Sequence, residues 1–169
     1  IKLHSFHLAS HWDSTAPPTE TFIELLERLP RFETIATDDP RAKMHVGEIR
    51  HADLKAHYEA QLPETLSRIV PELEQRYGAP VHHRIINYEG TAARNGAGVR
   101  SGEERGGFRV VFSDGRGVDR AAVWMRGSGT EPVFRVLADC EGDDTALLDR
   151  LICWHRENVE AAADAASRM

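Results

Sequence analysis

Two long stretches of helical hydrophobic period enclose a run of short strand-like segments, and that order leaves few folds open to the chain. From Asp53 to Tyr77, the residues Leu62, Leu66, Ile69, Val70, Leu73 and Tyr77 recur on one helical face. Asp53 stands where an N-cap is expected, and Gly78 with Pro80 supplies the stop. Pro63 and Pro71 fall inside this region, which predicts a kink or two successive helices. A second stripe, Leu147, Leu148, Leu151, Ile152, Trp154 and Val159, belongs to a helix from Asp144 to Ala163. Between the two lie His83–Tyr88, Phe108–Phe112, Ala121–Arg126 and Val133–Cys140, each short and apolar enough for a strand. Strands grouped between helices, rather than alternating with them, define an α+β class. The expected fold is an antiparallel sheet of about four strands with helices packed on one face.

Shorter elements precede this block. Thr21 and Glu24 have capping-box spacing, and Phe22, Leu25, Leu26 and Leu29 then form a helical face that Pro30 ends. Phe32–Thr37 alternates like a strand and closes at Asp38-Asp39-Pro40, and Met44–Ile49 predicts another strand. Residues 1–18, ending in Pro17-Pro18, read as an arm or linker from a preceding domain, and 19–169 as the domain proper. Residues 90–107, rich in Gly and Arg and nearly devoid of large apolar side chains, read as a mobile hairpin insertion. Asp114-Gly115 suits the next hairpin turn. The chain opens on Ile1 without a signal-peptide pattern, and the expectation is a piece of something longer.

Charge and composition exclude several classes. With 21 Lys and Arg against 27 Asp and Glu, the net charge of -6 argues against a nucleic-acid binder, which needs a basic face. Apolar runs are too short to span a bilayer, so no membrane partner is expected. Cys140 and Cys153 are too few for a disulfide framework, and a reduced cytoplasmic setting is the default.

The run from Arg126 to Arg135 carries the most chemistry. It connects two apolar strands, so it is a strand-loop-strand hairpin. Gly127 and Gly129 permit backbone conformations that turn successive N–H groups inward as an anion nest. Ser128 and Thr130 add hydroxyl donors, and Arg126 and Arg135 flank the loop with guanidinium forks that grip phosphate oxygens in pairs. No Gly-Lys-Ser/Thr ending and no following helix make it a nucleotide P-loop. The set matches a phosphate monoester. A hairpin with merely solvated arginines is the plainer alternative.

Arg126-Gly127-Ser128-Gly129-Thr130-Glu131-Pro132 with Arg135 resembles the phosphate-binding loop of the phosphohexomutases, the phosphoglucomutase/phosphomannomutase superfamily. That loop lies in the family's fourth, C-terminal domain. Leu25-Leu26 with Leu29-Pro30-Arg31-Phe32 is similar to that domain's opening helix, and Phe112-Ser113-Asp114-Gly115 to its hairpin turn. The likeness covers the chain from about Thr19 to the final helix. It implies a TATA-binding-protein-like α+β layer whose partners are a hexose phosphate and the other domains of the same chain. By match of position, Arg126, Ser128, Gly129, Thr130 and Arg135 would contact phosphate, while Gly127, Glu131 and Pro132 would shape the loop. In the family, a phosphoserine on the first domain and magnesium on the second carry the transfer, and the bisphosphate then turns round. The resemblance therefore implies no catalytic residue, metal ligand or cofactor here, and Mg2+ only in the full-length enzyme. The other readings weighed are a stand-alone phosphosugar-binding or regulatory module and an interaction domain without a ligand.

Other polar groups have plainer readings. Ala9-Ser10-His11 is only faintly similar to the family's nucleophile loop, because Trp12-Asp13 stands where Asn or His and then Pro belong. Ser128 has no base beside it in the sequence and suits a donor role. His4, His7, His11 and the pair His82-His83 read as solvated or packed rather than as metal ligands. Asp38-Asp39 and Asp143-Asp144 suit turn and cap positions, and Trp124 and Trp154 suit a core or a domain interface.

Overall fold

The computed structural model describes residues 29–89, 92–96, 98, 106–128 and 133–168. Its strands are β1 (Phe32–Thr34), β2 (Lys43–Met44), β3 (Val81–Glu89), β4 (Ala92–Asn95), β5 (Phe108–Asp114), β6 (Asp119–Gly127) and β7 (Phe134–Glu141). Two helices accompany them, α1 (His51–Tyr77) and α2 (Thr145–Ala166). The strands join one sheet in the order β1-β7-β6-β5-β3-β4, and β2 also pairs with β7. Every one of these pairings is antiparallel. The four strands expected from the sequence are β3, β5, β6 and β7, adjacent to one another, and β1, β2 and β4 widen the sheet to seven among the described residues. The fold is α+β with an antiparallel sheet.

The core lies between one sheet face and the helices. In β7, Phe134, Val136, Ala138 and Cys140 are buried, while Arg135, Leu137, Asp139 and Glu141 alternate on the other face. Their partners Ala121, Val123 and Met125 of β6 continue the buried face, as do Phe108, Val110 and Phe112 of β5. Onto it pack Leu54, Tyr58, Leu62, Leu66, Ile69 and Leu73 of α1, and Leu147, Leu151 and Val159 of α2. Each such side chain contributes about 1.5–3 kcal/mol by burial. Val70 and Tyr77, both expected in the stripe, are only partly buried against it.

Several boundaries differ from the sequence reading. The helix begins at His51, with Arg50 as its N-cap and no side-chain cap bond, so Asp53 does not cap it. Asp53 sits in the first turn and its carboxylate faces Arg50 at 3.7 Å, where negative charge complements the helix dipole. Pro63 and Pro71 do not divide the helix, which runs unbroken for 27 residues. Both prolines are exposed, so the hydrogen bonds they forgo lie where water can replace them. The strand expected over Met44–Ile49 is only Lys43–Met44, because Gly47 at φ 73° turns the chain away from the sheet. The strand expected over Phe32–Thr37 stops at Thr34 before a turn that leads to Asp39. The helix expected from Thr21 and the arm over 1–18 lie outside the described residues. So do 90, 91, 97 and 99–105 of the expected insertion, whose remaining segment β4 pairs with β3.

Turns and caps follow the expected chemistry. Asp114 Oδ1 accepts from the amides of Arg116 and Val118, closing the β5–β6 turn. Asp144 Oδ1 accepts from Leu147 N–H at 2.9 Å and caps α2, and Asp39 accepts from Arg41 N–H. Cys140 and Cys153 are free thiols. Among the described residues, no helix is long and apolar enough to cross a membrane.

Candidate phosphate-binding hairpin

β6 and β7 meet in a hairpin whose mouth is closed by two successive pairings. Gly127 is the register partner of Phe134, and Ser128 N–H donates to Val133 O at 2.9 Å. The loop is thereby held to the four residues Gly129, Thr130, Glu131 and Pro132, which lie outside the described residues. Ser128's amide is committed to closing the hairpin, so any contact from this residue to an anion runs through its hydroxyl.

Arg126 and Arg135 are direct register partners, and paired residues of antiparallel strands share a face. Their face is the one away from the helices, because Met125, Phe134 and Val136 beside them are buried on the opposite side. The Arg126 guanidinium lies 5.4 Å from the centre of the Trp124 ring, a cation–π contact. Arg135 Nη1 donates to Thr37 O at 2.9 Å. Each cation is thus oriented in part by a neighbour on or beside the sheet. On its outer edge β7 also carries β2, where Lys43 is the register partner of Arg135.

The underside of the hairpin rests on the start of α1. His51, the first helical residue, packs against Gly127 so closely that a Cβ there would overlap the imidazole. Its ring also meets Phe134 edge-on, with centroids 5.2 Å apart. Burial, and secondarily the nearby Lys55 ammonium, hold the His51 pKa below the ordinary histidine value. Lys55 is itself buried and donates from Nζ to Gly106 O at 2.7 Å. Gly127 is a regular strand residue without positive φ. Its missing side chain therefore serves the close approach of His51, not the conformational freedom expected from the sequence. Gly127→Ala should push His51 out of its seat, costing roughly 1–3 kcal/mol in chemical denaturation.

Residues 52–152 match the family model of the phosphoglucomutase/phosphomannomutase C-terminal domain. The chain belongs to this family. The match spans 101 of 169 residues and includes the whole β6–β7 hairpin. No curated protein matches the chain.

Within this phosphohexomutase C-terminal domain, the expected site residues divide by what the structure describes. Arg126, Ser128 and Arg135 come together at the mouth of one hairpin with Gly127 beneath them. Gly129, Thr130, Glu131 and Pro132 lie outside the described residues, as do Ser10, His4, His7 and His11. Adjacent on β3, His82 and His83 pair with Ser113 and Phe112 and so point to opposite faces, which prevents a shared ligand set. Among the described residues no group of three His, Cys, Asp or Glu converges. Trp154 is a core residue, its indole N–H donating to Thr65 O, whereas Trp124 belongs to the open face beneath Arg126. Lys43, His51 and Lys55 escaped the sequence reading because each lies far from the loop along the chain. The one available signal was Gly127, since a glycine in a regular strand marks a close approach.

Proposed function

We propose that the chain anchors the phosphate of a hexose phosphate during reversible intramolecular phosphoryl transfer by a phosphohexomutase. The observation that carries this reading is the direct pairing of Arg126 with Arg135 across a hairpin mouth closed by Ser128 and Val133. Two arginines at paired positions of adjacent strands can each donate paired N–H bonds to phosphate oxygens and hold the group against the loop hydroxyls. On this reading Gly129 and Thr130 are further phosphate contacts, and Glu131 and Pro132 are the loop-shaping residues. The sugar is oriented by the other domains of the same enzyme, which also carry the phosphoryl donor and the metal. This chain contributes positioning, a large part of phosphoryl-transfer catalysis. A reducing, cytoplasmic compartment suits its two free cysteines.

Two measurements on the purified chain test the reading together. Calorimetric titration should detect glucose 6-phosphate, weakly, and should detect no binding of glucose at the same concentration. Incubation with glucose 1-phosphate, magnesium and a bisphosphate primer should yield no glucose 6-phosphate. Equal binding of glucose would detach affinity from the phosphate. Turnover that vanished in Ser128→Ala would make this loop a donor rather than an anchor.

A further inference from the structure

Lys43, the first residue of β2, is the direct partner of Arg135, which is in turn the partner of Arg126. The three positions therefore form a row across β2, β7 and β6 on the open face, with backbones about 5 Å apart from strand to strand. The next rung fixes their direction: Met44 pairs with Phe134, and both are buried on the helix side. The backbone of Lys43 is held at both ends. Its N–H donates to Pro40 O, and its carbonyl accepts from Arg156 Nη1 at 3.0 Å. The side chain is exposed, and among the described residues its ammonium has no hydrogen-bond or ion-pair partner.

Like charges placed directly opposite one another across strands repel, and the three register positions themselves are all basic. The chain as a whole carries a net charge of -6, so three aligned cations at the base of one hairpin are a local reversal of its field. An anion lying over the row removes the repulsion and meets all three side chains. We propose that Lys43 is a third cationic contact of the phosphate site, supplied by β2. This assignment rests on the anchoring function proposed above and adds the charge class of the ligand. Two arginines and a lysine suit the dianionic form of a phosphate monoester, which carries most of two negative charges near pH 7. Lysine contributes as a mobile point charge beside the two oriented forks.

The experiment compares wild type, Lys43→Gln, Lys43→Arg and Arg126→Ala in titrations with glucose 6-phosphate and inorganic phosphate at two salt concentrations. Melting curves establish that each variant remains folded. Lys43→Gln should bind roughly tenfold more weakly and with a shallower salt dependence, because an exposed charge contact is screened. Lys43→Arg should retain most of the affinity. Wild-type affinity and salt dependence in Lys43→Gln, alongside weakened binding in Arg126→Ala, would overturn the role of Lys43 and leave the anchoring function standing. Absence of binding by the wild-type chain would overturn both.

Discussion

His155→Ala is expected to cost about 3–5 kcal/mol of folding stability, the largest single effect anticipated outside the hairpin. His155 is buried in α2 and ties three elements together. Tyr58 of α1 donates from its hydroxyl to His155 Nδ1 at 2.8 Å, and His155 Nε2 lies 3.2 Å from the Trp124 carbonyl of β6. A carbonyl only accepts, so the proton belongs on Nε2 and Nδ1 takes the tyrosine's. Truncation opens a cavity and strands the buried Tyr58 hydroxyl, and these two costs add. Urea denaturation should show a lower midpoint at unchanged slope. Tyr58→Phe in the same background should recover part of the loss, because it removes the stranded group.

The same residue sets a pH dependence. Burial pushes the His155 pKa down to about 4, outweighing the opposing pull of the Trp124 carbonyl. Its ordinary value is 6.5, so the unfolded chain takes up this proton first as pH falls. The stabilisation is complete above about pH 6.5 and is lost progressively as pH drops towards about 4. The loss from this residue is on the order of 3 kcal/mol. Denaturation midpoints followed from pH 8 to pH 4 should decline in the wild type, and that share of the decline should vanish in His155→Ala.

How much of this was legible in the sequence depends on the range of the interaction concerned. The stripes of both helices and the four central strands could be read because periodicity is local, and buried faces at Leu62, Leu66, Ile69, Val136 and Ala138 obey it. The Asp144 cap and the Asp114 turn were legible for the same reason. The family was legible because the hairpin motif is contiguous from Arg126 to Arg135. Register was not. Nothing local places Lys43 beside Arg135, or His51 beneath Gly127, since those contacts depend on which strand edge a short segment chooses. The division into two helices that the prolines allowed did not occur for a related reason: whether Pro63 breaks a helix depends on which side faces water, and tertiary packing decides that. His155 offered no signal either, because a buried histidine is distinguished from a solvated one only by partners distant in the chain, here Tyr58 and Trp124.

The second large effect concerns the two arginines. Arg126→Ala and Arg135→Ala should each remove charge-assisted contacts worth about 1.5–3 kcal/mol, and the double variant should bind a sugar phosphate about 100-fold or more weakly. Both side chains sit on the open face, away from the core, so the fold should survive the pair of changes. Among the described residues, Arg126→Ala loses a cation–π contact with Trp124. Arg135→Ala also releases the Thr37 carbonyl, which is exposed and can be rehydrated. Melting curves of each variant separate lost recognition from lost folding. Lysine at either position should restore only part of the affinity, because a point charge cannot reproduce a two-pronged fork.

Phosphate titration followed through the backbone amide resonances tests the central claim most directly. It reports where an anion sits as well as whether it binds. The account predicts saturable shifts at Gly129 and Thr130 and in the flanking residues Arg126 to Ser128 and Val133 to Arg135. Those shifts should be lost in the double arginine variant, with α2 silent throughout. Saturable shifts that persist unchanged in the double variant, or that cluster away from the β6–β7 hairpin, would contradict it.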